Sequence, residues 1–239
     1  MLILALDSTA VAASVAICRD TRALAAFHLN NGNTHSETLL PMVEAALKVT
    51  GHSIDDIDLF AVSNGPGSFT GVRIGAATVK GLAFGKDKPV LGVSTLEALA
   101  ENALPAPEGT LICPVMNARR GQLYNAIFRA EGERAVRLTP DRAIAATDLE
   151  AELKALAAPF VLTGDGIDEA LRIFKELSPA PLSPLASTQN AVSVAKCAYQ
   201  HYLTGERGTD AELKVVYLRM PQAERERLER LGKSEASQA

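Results

Sequence analysis

The sequence predicts an α/β fold built as two lobes of related topology, and three observations carry this. Short apolar runs alternate with stretches of helical period along most of the chain. The opening pattern of strand, polar turn and strand at Leu2–Cys18 recurs from Leu111 onward. Between the two, Leu104–Thr110 carries Pro105, Pro107 and Gly109, which interrupt both helix and strand. The expected division is a first lobe over 1–103, a second over 110–220 and a charged tail over 221–239 that is partly disordered.

In order, Leu2–Leu6 and Ala13–Cys18 read as a hairpin around the polar turn Asp7-Ser8-Thr9, and Leu24–Leu29 as a third strand. Thr34 followed by Glu37 forms a capping-box signature ahead of Leu39, Leu40, Val43, Ala46 and Leu47 at helical spacing, and Gly51 ends that helix. Leu59–Val62 is a buried strand, followed by a glycine-rich turn, a helix over Val72–Phe84 and a strand at Val90–Val93, which together make a βαβ unit. Ser94 and Glu97 cap a short helix.

The second half opens with a strand at Leu111–Met116, the turn Asn117–Gly121, a strand at Gln122–Phe128 and another at Arg134–Leu138. Thr147 with Glu150 caps a helix through Ala157, Phe160–Thr163 is a strand, and Gly164-Asp165-Gly166 leads into a helix ending near Leu177. After a Pro- and Ser-rich loop, Val192, Ala195, Ala198, Tyr199 and Tyr202 run at helical spacing to Gly205. Glu224–Leu231 suits a solvated helix in the tail.

Of the 239 residues, 47% are hydrophobic and 22% charged, an ordinary globular balance. No apolar run approaches the ~20 residues of a membrane span, and Leu2–Leu6 has no basic leader, so a cytoplasmic protein without signal peptide or membrane contact is expected. Cys18, Cys113 and Cys197 are widely spaced and outside any CxxC pattern, which points to small buried hydrophobes. A net charge of −4 without a basic stripe argues against a large autonomous RNA site, so any RNA substrate is expected to be held through another subunit.

The segment Asn64–Gly75 places Gly65, Gly67 and Gly71 within seven residues between a strand and a helix. Glycines there permit close backbone approach to a partner or an anion at a helix N-terminus, or simply a tight turn. It is neither a Walker A loop nor GxGxxG. Asp7-Ser8-Thr9 suits a phosphate or metal-water contact, and equally an Asp bonding its own turn. The helix Val72–Phe84 is apolar around most of its circumference, and its small residues Gly75, Ala76, Ala77 and Gly81 admit a neighbouring helix. With the Met42-containing helix it forms a candidate protein interface, the alternative being that both are sandwiched inside the fold. The four histidines form no HxxxH or HExxH pattern and no GxSxG elbow is present, so no metal site and no catalytic residue is expected. The Arg119-Arg120 pair is either a solvated turn or a grip for a carboxylate or phosphate.

Taken in order, Leu2–Thr9, His35-Ser36-Glu37 with Leu39-Leu40-Pro41, Gly65–Gly75, Gly92–Leu96, Ala118–Gly121 with Tyr124, and Tyr217-Leu218-Arg219 resemble the TsaB (YeaZ) family. The resemblance spans nearly the whole chain, and the GPGSFTG stretch with its following Arg is its most specific part. It implies an actin-like ATPase (ASKHA) fold with mixed sheets flanked by helices. It further implies a non-catalytic subunit in the formation of N6-threonylcarbamoyladenosine at position 37 of tRNAs reading codons that start with A. The implied partners are a TsaD-type catalytic subunit and a TsaE-type ATPase, with a homodimer in their absence and tRNA met through the complex.

On this resemblance the partner contact is expected at His35, Glu37, Leu39, Met42, Phe69, Arg73, Ala76, Ala77 and Lys80. Asp7, Gly65, Gly67, Ser68 and Thr70 are candidates for contacting an adenine nucleotide or the partner, with no cofactor stably bound. Asn117 and Gln122 stand where the family commonly has Asp and Glu. Three other readings compete: a kinase or ATPase on the same fold, a glycoprotease, and an interaction protein unconnected with tRNA.

Overall fold

The computed structural model describes residues 1–32, 34–180 and 182–219. The proposed tail over 221–239, with its helix at Glu224–Leu231, lies outside the described residues.

The first sheet has the order β3-β2-β1-β4-β5. Its strands are β1 (Leu2–Asp7), β2 (Ala13–Arg19), β3 (Arg22–Leu29), β4 (Leu59–Gly65) and β5 (Val90–Ser94). β1, β2 and β3 pair antiparallel, whereas β4 joins β1 in parallel and β5 joins β4 in parallel. β1 is buried on both faces, which is why it reads as a continuous apolar run with no alternation. Helices α1 (His35–Thr50) and α2 (Phe69–Ala83) run back along one face, where Leu39, Met42, Val43, Ala46, Ala76 and Val79 pack on Leu4, Leu6, Phe60 and Val62.

A short helix α3 (Thr95–Asn102) leads through the Pro-rich stretch to the second sheet. There β6 (Leu111–Asn117) pairs antiparallel with β7 (Gln122–Asn125) and β8 (Phe128–Glu131), and parallel with β11 (Phe160–Thr163). β9 (Arg134–Arg137) and β10 (Arg142–Ala145) extend the two sides. Helices α4 (Ala146–Leu156) and α5 (Ile167–Ile173) cover one face through Leu149, Leu153 and Ala170. The hairpin β6–β7 with β11 parallel to β6 repeats β1–β2 with β4 parallel to β1, so the two sheets share their central topology.

Several elements depart from the sequence reading. The strand expected over Gln122–Phe128 is two strands, because the chain turns at Ala126-Ile127 and Asn125 is drawn inward to donate to the carbonyls of Pro114 (2.9 Å) and Ala126 (3.0 Å). Thr34 sits at the N-cap of α1, but its hydroxyl bonds Ser36 Oγ and makes no capping contact; α4 starts one residue before Thr147 and has no side-chain cap. Ser94 does cap α3, accepting from Glu97 N at 3.2 Å.

The larger correction concerns α6 (Ala191–Leu203), which the sequence assigns to the second lobe over 110–220. Its Ala191, Val194, Ala195 and Ala198 pack on Ile3, Ala5, Ala16, Leu59 and Ala61, the other face of the first sheet. Small residues on both sides let this helix lie close on the strands. The following segment stays on the first lobe: Val90 N donates to Gly208 O and Leu213 enters the α1/α2 core.

Candidate functional site

A cleft of about 610 Å³ opens between the lobes. Its first wall is the turn Thr9-Ala10-Val11 with Pro66–Thr70; its second is Asn117–Arg119, Tyr124 and Asp165; Val216–Arg219 cross its mouth. The turn after β1, the loop after β4 and Asp165 after β11 all reach it from strand ends, as expected where parallel strands terminate on one side of a sheet.

Asp7, at the end of β1, does not face this cleft. It is fully buried, and its carboxylate accepts from Thr9 N (2.9 Å), Thr9 Oγ1 (2.7 Å) and Ser63 Oγ (2.5 Å). Burial pushes its pKa up, with the Ser63 and Thr9 hydrogen bonds opposing. The arrangement spans β1 and β4 and closes the turn, the second of the two roles open to an Asp at this position.

The glycine-rich loop is likewise occupied by packing. A Cβ on Gly67 would lie 2.5 Å from Thr9 O, and one on Gly75 2.5 Å from Ser8 Oγ. A Cβ on Gly71 would collide with Ser8 O, and one on Gly65, whose φ is +119°, with Val216 O. Ser68 N donates to Thr9 O at 2.7 Å, and Ser68 Oγ caps α2 by accepting from Gly71 N. The glycines therefore let the start of α2 press onto the Asp7-Ser8-Thr9 turn. Of the five residues singled out for a nucleotide or partner contact, Gly67, Ser68 and Thr70 border the cleft, whereas Asp7 and Gly65 lie behind its wall.

The residues expected at the partner contact separate by helix face. His35, Glu37, Phe69, Arg73, Ala77 and Lys80 are exposed or half-buried. Leu39, Met42 and Ala76 are a correction: they are 1%, 8% and 5% exposed and pack inward on the first sheet. The outward surface of the pair instead carries Leu40, Ala77, Gly81 and Phe84, the last 78% exposed. His35 Nε2 meets Ala10 O at 2.7 Å, tying α1 to the cleft turn.

In the second lobe, Asp165 follows β11 as Pro66 and Gly67 follow β4. Its pKa is pushed up to about 6, mainly by desolvation and also by the Asp7 charge, against hydrogen bonds from Asn117, its own amide and Gln189. The sequence flagged Gly164-Asp165-Gly166 only as a helix entry; its position after the β11 strand, mirroring the loop after β4, is the signal that places it at the cleft. Asn117 Oδ1 accepts from Arg119 N at 2.7 Å. Gln122 N donates to Arg119 O around Arg120 and Gly121, whose φ values of 57° and 70° are both left-handed. An Asn thus supplies the acceptor this turn needs without a charge. Among the described residues no group of three or more His, Cys, Asp or Glu side chains is placed to hold a metal ion.

The family described as TsaD, tRNA N6-adenosine threonylcarbamoyltransferase, matches residues 30–168. The chain is 40% identical over 131 residues to the tRNA threonylcarbamoyladenosine biosynthesis protein TsaB of Escherichia coli (strain K12), covering 55% of this chain and 56% of that protein. It is 33% identical over 164 residues to the Bacillus subtilis (strain 168) protein of the same name, covering 69% and 71%. The match thus spans a little over half of one relative and about seven tenths of the other. The solved structure of YeaZ from Pseudomonas aeruginosa superposes with a TM-score of 0.77 at 28% identity, over 91% of this chain and 99% of that one. The architecture is the two-lobed actin-like ATPase fold, with mixed sheets flanked by helices.

Proposed function

The chain belongs to the TsaB (YeaZ) family, and we propose that it serves in forming N6-threonylcarbamoyladenosine at position 37 of tRNAs reading ANN codons, as a non-catalytic subunit that binds and activates a TsaD-type catalytic subunit. The observation that carries the scaffold role is the outward face of α1 and α2. Leu40 and Phe84 are exposed there with the small residues Ala77 and Gly81, beside the charged Glu37 and Arg73. A TsaE-type ATPase joins the assembly, a homodimer uses the same face when partners are absent, and tRNA is met through the complex in the cytoplasm. An adenine nucleotide, where one takes part, sits at the contact with the TsaD-type subunit.

The closed state of Asp7 supports this reading over the kinase or ATPase alternative, since its acceptors are taken by Thr9 and Ser63 and the glycine-rich loop is filled by packing. The test is threonylcarbamoylation of tRNA with purified TsaC-, TsaD- and TsaE-type proteins, run with the chain, without it, and with it replacing the TsaD-type subunit. Product that requires the chain and never forms in the replacement reaction is the expected result. Full activity without it sinks the scaffold role, and product from the replacement reaction makes it an enzyme.

A further inference from the structure

The segment Lys214–Arg219 touches three separate parts of the molecule within six residues. At its start, Asn64 Nδ2 donates to Lys214 O (3.1 Å) and Val216 N donates to Asn64 O (2.8 Å), which fastens it to the end of β4. In its middle, the Tyr217 hydroxyl accepts from Arg73 Nε (2.7 Å), and the Tyr217 ring lies 5.0 Å from the Phe69 ring, with the Arg73 guanidinium 3.7 Å above Phe69. At its end, Arg219 Nη1 donates to Ala118 O (2.6 Å) in the turn between β6 and β7. The first two anchors belong to the first lobe and the third to the second. Because Val216–Arg219 line the mouth of the cleft, the chain crosses from one wall to the other there.

At the base of the cleft the lobes already meet through an apolar seam, in which Leu96, Leu99 and Ala100 of α3 pack on Ile112, Met116 and Phe128, and which reaches the cleft through Ala10, Met116 and Tyr124. Polar links from Ser94 to Asp141 and from Asn102 to the Ala186 and Thr188 carbonyls lie along α3 with it, and lobes joined along one such line hinge about it by default. A second tether across the open side removes that freedom. Gly65 is fitted to the tether, since any side chain at its position would strike Val216 O.

We propose that Lys214–Arg219 is an interlobe latch that fixes the angle between the two lobes and holds the cleft at its present opening. Its working parts are the Tyr217 anchor on Arg73 and Phe69 and the Arg219 anchor on Ala118. The residues that determine cleft geometry therefore include a stretch remote in sequence from both walls.

Single-molecule fluorescence transfer between dyes on Ser36→Cys and Thr147→Cys tests this in the isolated chain, at concentrations where no dimer forms. Both positions are exposed, one on each lobe. Cys18, Cys113 and Cys197 are buried, with thiols held up to about 11, up to about 12 and well above the usual value, so labelling is confined to the introduced pair. A single narrow transfer peak is expected for the parent, and Arg219→Ala and Tyr217→Ala should each broaden or split it. Arg219→Lys, which retains a cationic donor, should restore the narrow peak. Parent-like peaks in both alanine variants overturn the latch and assign the lobe angle to the apolar seam. Arg219→Ala removes one surface side chain, so its thermal unfolding profile should match the parent and confirm that the peak reports motion; a broad peak in the parent itself also overturns the proposal.

Discussion

Ser63 Oγ donates to Asp7 Oδ2 at 2.5 Å across the parallel pair β1–β4, in a site with no exposure of either residue. Removing the carboxylate by Asp7→Ala leaves the Ser63 and Thr9 donors unsatisfied, so a loss of about 2–3 kcal/mol in unfolding free energy is expected. Urea titration measures it. A variant as stable as the parent would return Asp7 to the role of a ligand contact.

Two glycines of α2 should respond with opposite sign. A Cβ at Gly71 strikes the Ser8 carbonyl, which is backbone and does not yield, so Gly71→Ala should cost about 2 kcal/mol or more. At Gly81 nothing lies within 4 Å, and Ala there should stabilise the helix by about 0.5–1 kcal/mol. Paired denaturant curves decide both.

Neighbouring alanines separate fold from association. Ala76 is 5% exposed and packs on the first sheet, so Ala76→Arg should prevent folding, visible as loss of the cooperative thermal transition. Ala77 is exposed, so Ala77→Arg should fold with stability within about 0.5 kcal/mol of the parent. Under the scaffold proposal it also loses binding to the TsaD-type subunit in a pull-down; retained binding moves the interface elsewhere.

Stability should change with pH through His201. Its hydrogen bond to Glu97 Oε1 at 2.8 Å raises the imidazole pKa, with burial opposing. A folded pKa above the unfolded value of about 6.5 gives stabilisation that is complete below about pH 6.5 and lost as pH rises through the folded value. His201→Gln should remove this fall; an unchanged pH profile between parent and variant refutes it.

Asp165 acts lower on the scale. With its pKa raised to about 6, the stability its protonated form supplies is complete below about pH 3.8 and lost by about pH 6. Relative to Asp165→Asn, the parent should therefore weaken across that window, by of order 1 kcal/mol after allowance for the open cleft. Denaturant curves at successive pH values test it.

Much of the fold was legible because local patterns and tertiary packing agree. β1 and β4 are buried on both faces and appear as unbroken apolar runs, and Ser94 caps α3 as its spacing with Glu97 implies. The glycine-rich loop was visible, yet its purpose was not, since the atoms that demand those glycines belong to Ser8, Thr9 and Val216. Ala76 and Ala77 look alike in sequence; only the direction of the sheet decides which is covered. The Arg219–Ala118 bond joins residues far apart in the chain and leaves no periodic trace.

The return of α6 to the first sheet has a consequence for biosynthesis. The Ile3, Ala5, Ala16 and Ala61 face made early in translation stays without its cover until residues 191–203 leave the ribosome. At about 5–20 residues per second, that interval lasts seconds. The nascent first sheet therefore carries an uncovered apolar face over that interval, and a fragment ending at residue 103 would keep that exposure permanently.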